Sequence, residues 1–342
     1  MIFPTFLKPG GLIGVTACSD GKSDAVDQVR LDNAKKEFLS RGFNVTETPN
    51  TRKSEKGRSS EAVTRAHELI DLVVNPDVKA VMIVSGGDYL GEMLPYLDLG
   101  RITRYVKWYQ GYSDPTGLLY CITTKCDIAT VYSQNYAEFG MDPWHKSLED
   151  NLSILCGKNV VQESFDRYQA NFSERITGLE GFETDTPVRW YGARGEDSLS
   201  VRGRLIGGCL DVLLDLIGTP YENTLDFIEK YKNDGILWYL ESFALDSERL
   251  TMALWHLREA GWFKYAKGFV FGRPCFFSTN TDTAYEEAVL NALDELDVPI
   301  ICGADIGHRK PSFTVVNGVV GEFTLDNGKG TLKMEFRERP TL

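Results

Sequence analysis

The sequence predicts an α/β protein: an N-terminal parallel-sheet, Rossmann-like domain followed by a C-terminal mixed α/β domain. Three observations point there. Short apolar runs alternate with helical stretches through residues 1–156. A polar connection over 157–200, with Gln162-Glu163-Ser164 and Arg194-Gly195-Glu196-Asp197, interrupts that rhythm. The alternation then resumes over 201–342. A length of 342 residues suits two domains of ordinary size.

The elements follow in chain order. Leu12-Ile13-Gly14-Val15-Thr16-Ala17 reads as a buried strand, then a helix at about 24–41 stopped by Gly42, then the strand Phe43-Asn44-Val45-Thr46. After Ser59-Ser60, read as a cap, Ala62, Val63, Ala66, Leu69, Ile70, Val73 and Val74 recur at helical spacing. Ala80-Val81-Met82-Ile83-Val84 and the run Lys107 to Gly111 are the third and fourth strands. Strands separated by helices imply parallel pairing through crossovers, with ligands beyond the carboxyl ends of the strands. In the second half come Leu205-Ile206-Gly207-Gly208-Cys209, a helix to Ile217 and the strand Ile236 to Leu240. A helix at about 246–260, the strand Gly268 to Phe271, a helix at about 283–296 and the strand Val298 to Ile301 complete the pattern. Asn317-Gly318 and Asn327-Gly328 read as hairpin turns.

Composition excludes several classes. No apolar run approaches the ~18 residues of a membrane span, and the N-terminus lacks a basic region with a cleavage site. A cytoplasmic location is expected. Seven scattered cysteines without a Cys-x-x-Cys pair argue for reduced thiols rather than disulfides or a zinc ribbon. Four histidines with no His-x-x-x-His pair make a metal site unexpected. A formal net charge of −12 repels phosphate backbones, so nucleic-acid binding is not expected.

The chemistry concentrates at strand ends. Gly111-Tyr112-Ser113-Asp114-Pro115-Thr116 puts a serine where a turn lifts a hydroxyl off the sheet, before the first amides of a helix. Glu241 ends the Ile236 strand, and His308 follows the Val298 strand in Asp305-Ile306-Gly307-His308. Imidazole is the natural base for a serine hydroxyl, and a carboxylate fixes its tautomer. Each residue also has a bland reading: Ser113 a helix cap, Glu241 a cap for the helix near Asp246, His308 a surface side chain. Gly86-Gly87 could cradle a phosphate, or its amide at Gly87 could pair with that of Asp114 as an oxyanion hole. Trp190, in the polar connection, is either a ligand-stacking wall or interdomain packing. Cys209, beside Gly207-Gly208, reads as buried and inert.

Together these segments resemble the LD-carboxypeptidase family of serine peptidases, which includes the microcin C immunity peptidases. The resemblance is carried by Gly86-Gly87 with Leu94-Pro95-Tyr96, by Gly111-Tyr112-Ser113-Asp114, by Gly207-Gly208-Cys209-Leu210 with Gly218-Thr219-Pro220, by Leu240-Glu241 and by Gly307-His308. It implies Ser113 as nucleophile, His308 as base and Glu241 as its orienting acid, in a groove between two domains. It also implies a cytoplasmic homodimer without cofactor that cleaves an amide near a free carboxylate. The substrate would be a peptidyl-nucleotide or, alternatively, a muropeptide; Gly86, Asp88 and Trp190 are the substrate-binding candidates. Ser85 stands where the LD-carboxypeptidase branch usually has an arginine, and Cys209 where it has an asparagine. The stretch from Tyr132 to Gly140, and Trp190, are closer to the immunity branch. A reading from another class is a non-catalytic protein that holds a nucleotide or peptide on the Gly86-Gly87 turn.

Overall fold

In the computed structural model, which describes residues 1–336, five strands form the base of a first sheet: β1 (Leu12–Thr16), β2 (Asn44–Glu47), β3 (Val78–Ile83), β4 (Trp108–Gly111) and β5 (Thr130–Tyr132). They pair in parallel in the order β5-β4-β3-β1-β2. Parallel pairing needs crossovers, and these are α1 (Ala25–Ser40), α2 (Ala62–Val74), α3 (Leu99–Arg104) and α4 (Thr116–Cys126). Helices cover the strands, so β3 is buried at every residue but Lys79 and is built from aliphatic residues rather than an alternating pattern. In α2, Ala66, Leu69, Ile70 and Val73 make the buried face. Its cap differs from the sequence reading. Glu61 takes that position without a side-chain bond, because Ser59 is drawn away to donate to the Ala17 carbonyl at 2.8 Å. Strand β5 escaped the sequence reading, since three residues are too few to show a period.

Helix α5 (Lys146–Leu155) leads into the polar connection, which holds four two-residue strands: β6 (Gln162–Glu163), β7 (Arg167–Tyr168), β8 (Thr186–Pro187) and β9 (Tyr191–Gly192). The second half adds β10 (Ser198–Cys209), α6 (Leu210–Leu216), α7 (Thr224–Lys230), β11 (Ile236–Glu241), α8 (Ser247–Glu259), β12 (Ala266–Gly272), α9 (Tyr285–Leu293) and β13 (Ile300–Ala304). Three strands end the described chain: β14 (Val315–Asn317), β15 (Val320–Asp326) and β16 (Lys329–Glu335). The second sheet runs β6-β16-β15-β10-β11-β12-β13-β9. Its centre, β10 to β13, is parallel, and its flanks are antiparallel. The fold is therefore mixed α/β with a parallel sheet in the N-terminal part and a second sheet beyond it.

The two Asn-Gly pairs behave differently. Asn327 and Gly328, at φ +48° and +84°, close a two-residue hairpin between β15 and β16. Asn317-Gly318 turns the chain but makes no hairpin. Strand β14 pairs antiparallel with β5 in the first sheet, and β15 lies in the second. Asn317 is held by long-range partners: its side chain accepts from the Tyr239 hydroxyl at 2.7 Å and donates to Thr130 at 3.3 Å. Local turn chemistry was readable there, but the partner strand is set by contacts about 185 residues distant in sequence.

Trp190 lies in the core at 1% exposure, against Phe313 and Phe323. Its indole Nε1 donates to Asp305 Oδ2 at 2.9 Å, and Arg273 holds Asp305 Oδ1 at 2.7 Å. Arg273 also donates to the carbonyls of Arg309 and Pro311. Trp190 thus braces the loop that follows β13. Truncation to Trp190→Ala should lower the unfolding free energy by about 3–5 kcal/mol, measured by urea denaturation. A change below about 1 kcal/mol would mean that the indole does not bear on the core.

Candidate active site

Strand β4 ends at Gly111 and α4 begins at Thr116, so the chain must reverse direction within four residues. It does so with Ser113 in the left-handed region at φ +70°, a conformation that L-residues reach only under strain. Asn135 accepts the Tyr112 amide at 3.0 Å, and the Thr116 amide closes the turn on the Ser113 carbonyl at 2.8 Å. The Ser113 hydroxyl is not used as a cap. It projects instead beside Gly86, where a Cβ would stand 3.1 Å from the serine oxygen. A side chain at Gly86 would therefore crowd the serine hydroxyl.

Glu241 is the last residue of β11 and only 1% exposed. It does not cap α8; Asp246 does, accepting from the Arg249 amide. Glu241 Oε2 lies 2.8 Å from Nδ1 of His308, and His308 Nε2 lies 2.9 Å from Ser113 Oγ. Gly307, at φ +94°, brings the loop close enough that a Cβ would fall 2.6 Å from the carboxylate. Burial pushes the Glu241 carboxyl up, but the His308 contact, a bond from Tyr132 and the Lys310 charge outweigh it and hold the group below the ordinary range. An ionised carboxylate only accepts, so Nδ1 carries the proton and Nε2 is left to accept from the serine. Tyr112 and Phe243 pack on the ring at 5.2 and 4.6 Å.

The amides of Gly87 and Asp114 donate to no acceptor among the described residues. The Gly86-Gly87 turn leans on the loop after β1: a Cβ on Gly87, at φ +149°, would meet the Ser19 hydroxyl at 2.3 Å. The Asp114 side chain is turned away from the relay. It accepts from the Leu90 amide at 2.9 Å, and burial raises its carboxyl above the usual value. Asp88 is exposed and lines a separate cavity of about 310 Å³ with Asp114 and Val212. Trp190 is in the core and lines neither this cavity nor the one beside His308. Cys209 is buried, its thiol pushed well up by burial, with its amide on Thr116.

His308 and Tyr112 form part of a cavity of about 540 Å³ whose other walls include Glu138, Phe172, Arg175, Arg309 and Lys310. Phe172 and Arg175 carried no signal in the sequence. Glu138 pairs with Arg30 at 3.3 Å and with Arg175 at 2.8 Å. Burial raises its carboxyl, but Arg175, Arg30 and Lys310 bring it down to about 2. Lys310 is buried, its ammonium 3.5 Å over the Tyr112 ring and 2.6 Å from Gln134, and burial pushes it down to about 8. The cation run Arg309-Lys310 after His308 was the only local signal for this wall. Among the described residues no cluster of three His, Cys, Asp or Glu side chains could hold a metal ion, and no helix is long and apolar enough to cross a membrane.

The chain is similar to known proteins over nearly all of its length. Residues 13–133 match the sequence model of the LD-carboxypeptidase N-terminal domain, and residues 202–323 that of the C-terminal domain. A Vibrio cholerae protein provisionally named a carboxypeptidase is 27% identical over 98% of each chain. The microcin self-immunity protein MccF of Escherichia coli is 27% identical over 85% of this chain and 84% of its own. A solved structure of MccF with aspartyl sulfamoyl adenosine superposes with a TM-score of 0.81 at 23% identity, covering 98% of this chain and 99% of that one. An MccF-like protein from Bacillus anthracis gives 0.83 at 26% identity, covering 98% and 100%.

The Glu138 network sets an acid limit on stability. Its carboxyl titrates near 4.5 when unfolded and about 2 when folded, so its contribution is full above about pH 4.5 and fades as pH falls towards 2. Glu138→Gln should be less stable at pH 7 and should lose less further stability on acidification than the wild type, measured as urea midpoints against pH. Parallel curves for the two proteins would contradict this.

Proposed function

Because the chain belongs to the LD-carboxypeptidase family, we propose that it is a serine peptidase of carboxypeptidase type, cleaving an amide bond near a free carboxylate through an acyl-enzyme. One observation carries the reading: an unbroken hydrogen-bond relay from Ser113 Oγ through His308 to a buried Glu241. Nε2 takes the hydroxyl proton as Oγ bonds to the scissile carbonyl carbon. The amides of Gly87 and Asp114 receive the oxyanion, each worth about 3–4 kcal/mol by analogy with other oxyanion holes. The imidazolium, steadied by Glu241, then gives its proton to the departing nitrogen as the C–N bond breaks. Water, deprotonated by His308, releases the acyl group and restores the serine.

For the substrate we favour a peptidyl-nucleotide of the microcin C type. The MccF complex with aspartyl sulfamoyl adenosine supports this, as do exposed aromatic rings at the edge of the cavity. Phe172 and Phe276 are 59% and 52% exposed and lie 5.7 Å apart, next to the Phe243 that packs on His308. Exposed ring faces of this kind suit a flat base. A muropeptide is the second reading, favoured by the family's LD-carboxypeptidase members. At the position before the glycine pair, Ser85 donates to the Asp20 carbonyl and offers no cation to a stem-peptide carboxylate.

Ser113→Ala should abolish hydrolysis of a peptidyl-adenylate while leaving the thermal midpoint near that of the wild type. Residual turnover at the wild-type rate would remove Ser113 from the mechanism. Turnover of an LD-linked muropeptide but not the adenylate would reassign the substrate. Gly307→Ala, whose methyl collides with Glu241, should cost about a hundredfold or more in kcat/KM. An unimpaired variant would show that the relay does not depend on that close approach.

A further inference from the structure

Tyr132 is the last residue of β5 and is buried at the meeting of the two sheets. Its hydroxyl lies 2.5 Å from Glu241 Oε1 and 3.4 Å from the Ser113 amide nitrogen. A phenol has one proton to give. Glu241 is acceptor-only, so the proton goes to the carboxylate and the phenol oxygen faces the Ser113 N–H. The contacts then close a ring: Ser113 Oγ to His308, His308 to Glu241, Glu241 to Tyr132, and Tyr132 back to the backbone of Ser113. We propose that Tyr132 is a positioning residue of the relay, one that occupies the second carboxylate oxygen and ties the acid to the main chain of the nucleophile. The proposal rests on the serine-hydrolase reading above.

Several features fit that role. The ring is wedged between Tyr112 and Tyr239 at 6.4 and 5.6 Å, so the phenol cannot swing away. Val315 of β14 is paired in register with Tyr132, and β14 is reached from His308 in seven residues. One strand pairing therefore fixes the phenol and limits the base loop together. Without the phenol, Oε1 would be a buried anionic oxygen lacking a partner, and the carboxylate could turn to offer both oxygens to the imidazole. More negative charge would then face the imidazolium.

The surroundings isolate this effect. Lys310, Cys209, Cys275, Tyr112, Tyr239 and Tyr285 are the other titratable groups that bear on Glu241 or His308. Burial drives the phenols and thiols upward, so they stay neutral through the assay range. Burial pushes Tyr132 itself upward as well, which keeps it a donor. Lys310 is brought down to about 8 by burial, so it is protonated across the acid limb and does not shape it.

The test is the rate of Ser113 modification by a fluorophosphonate between pH 5 and 9, read by intact-protein mass spectrometry. It needs no knowledge of the natural substrate. Tyr132→Phe should react about tenfold more slowly at pH 7, and its acid limb should move up by about one pH unit. A loss of packing alone would leave the limb in place. A single 3-fluorotyrosine at position 132 keeps the fold and makes a stronger donor, so it should move the limb down. In a Glu241→Gln background, Tyr132→Phe should have no further effect. Wild-type protein that takes no label overturns the nucleophile and this proposal with it. Labelled wild type with an unmoved limb in both Tyr132 variants overturns the role of Tyr132 alone.

Discussion

A carboxylate buried to 1% exposure at the end of a central strand is the constraint on which the candidate site depends. An ion so placed is strongly disfavoured unless its oxygens are met by donors. Glu241 meets this condition with His308 on one oxygen and Tyr132 on the other, and with the Lys310 charge nearby. These partners come from different parts of the chain: β5 of the first sheet, and the loop after β13 of the second. Satisfying one buried anion therefore holds the two sheets in register where Ser113 emerges.

The same requirement explains the backbone. The His308 loop, which touches a buried carboxylate, has no room for a side chain at Gly307, and the turn facing the serine is tight at Gly86. Ser113 itself sits at φ +70° because β4 has to end and α4 begin within a few residues. Strain at that one position is held by Asn135 and by the first turn of α4. Behind the loop, Trp190, Asp305 and Arg273 form a second buried polar set that reaches the cavity wall only through the Arg309 backbone.

Much of this was legible in the residue order. The helices of the first half, the long apolar runs at β3 and β11, and the hairpin at Asn327-Gly328 follow from local period and turn chemistry. Ser113, Glu241 and His308 could be picked out because each follows a strand pattern in a parallel-sheet context, where side chains at the carboxyl ends face a common crevice. Other features were not legible. Asn317-Gly318 shows the same turn signal as Asn327-Gly328 yet joins two sheets. Trp190, in a polar stretch, could be read as a ligand-stacking wall or as packing, and it packs against Phe313 and Phe323. Phe172 and Arg175 sit in a region without periodicity, so nothing local marked them as cavity walls.

The chain by itself determined which residues end strands, where helices begin, and that serine, carboxylate and imidazole would each be presented at a strand tip. These are properties of periods of two and of 3.6, set by neighbours a few positions apart. Only the tertiary structure decided that His308 stands 2.9 Å from Ser113 and 2.8 Å from Glu241, that a phenol from β5 completes their ring, and that Trp190 supports the loop carrying His308 from within the core. The physical reason is range. Each of those contacts joins residues 67 to 195 positions apart, and no local pattern encodes which distant strand will pair with which.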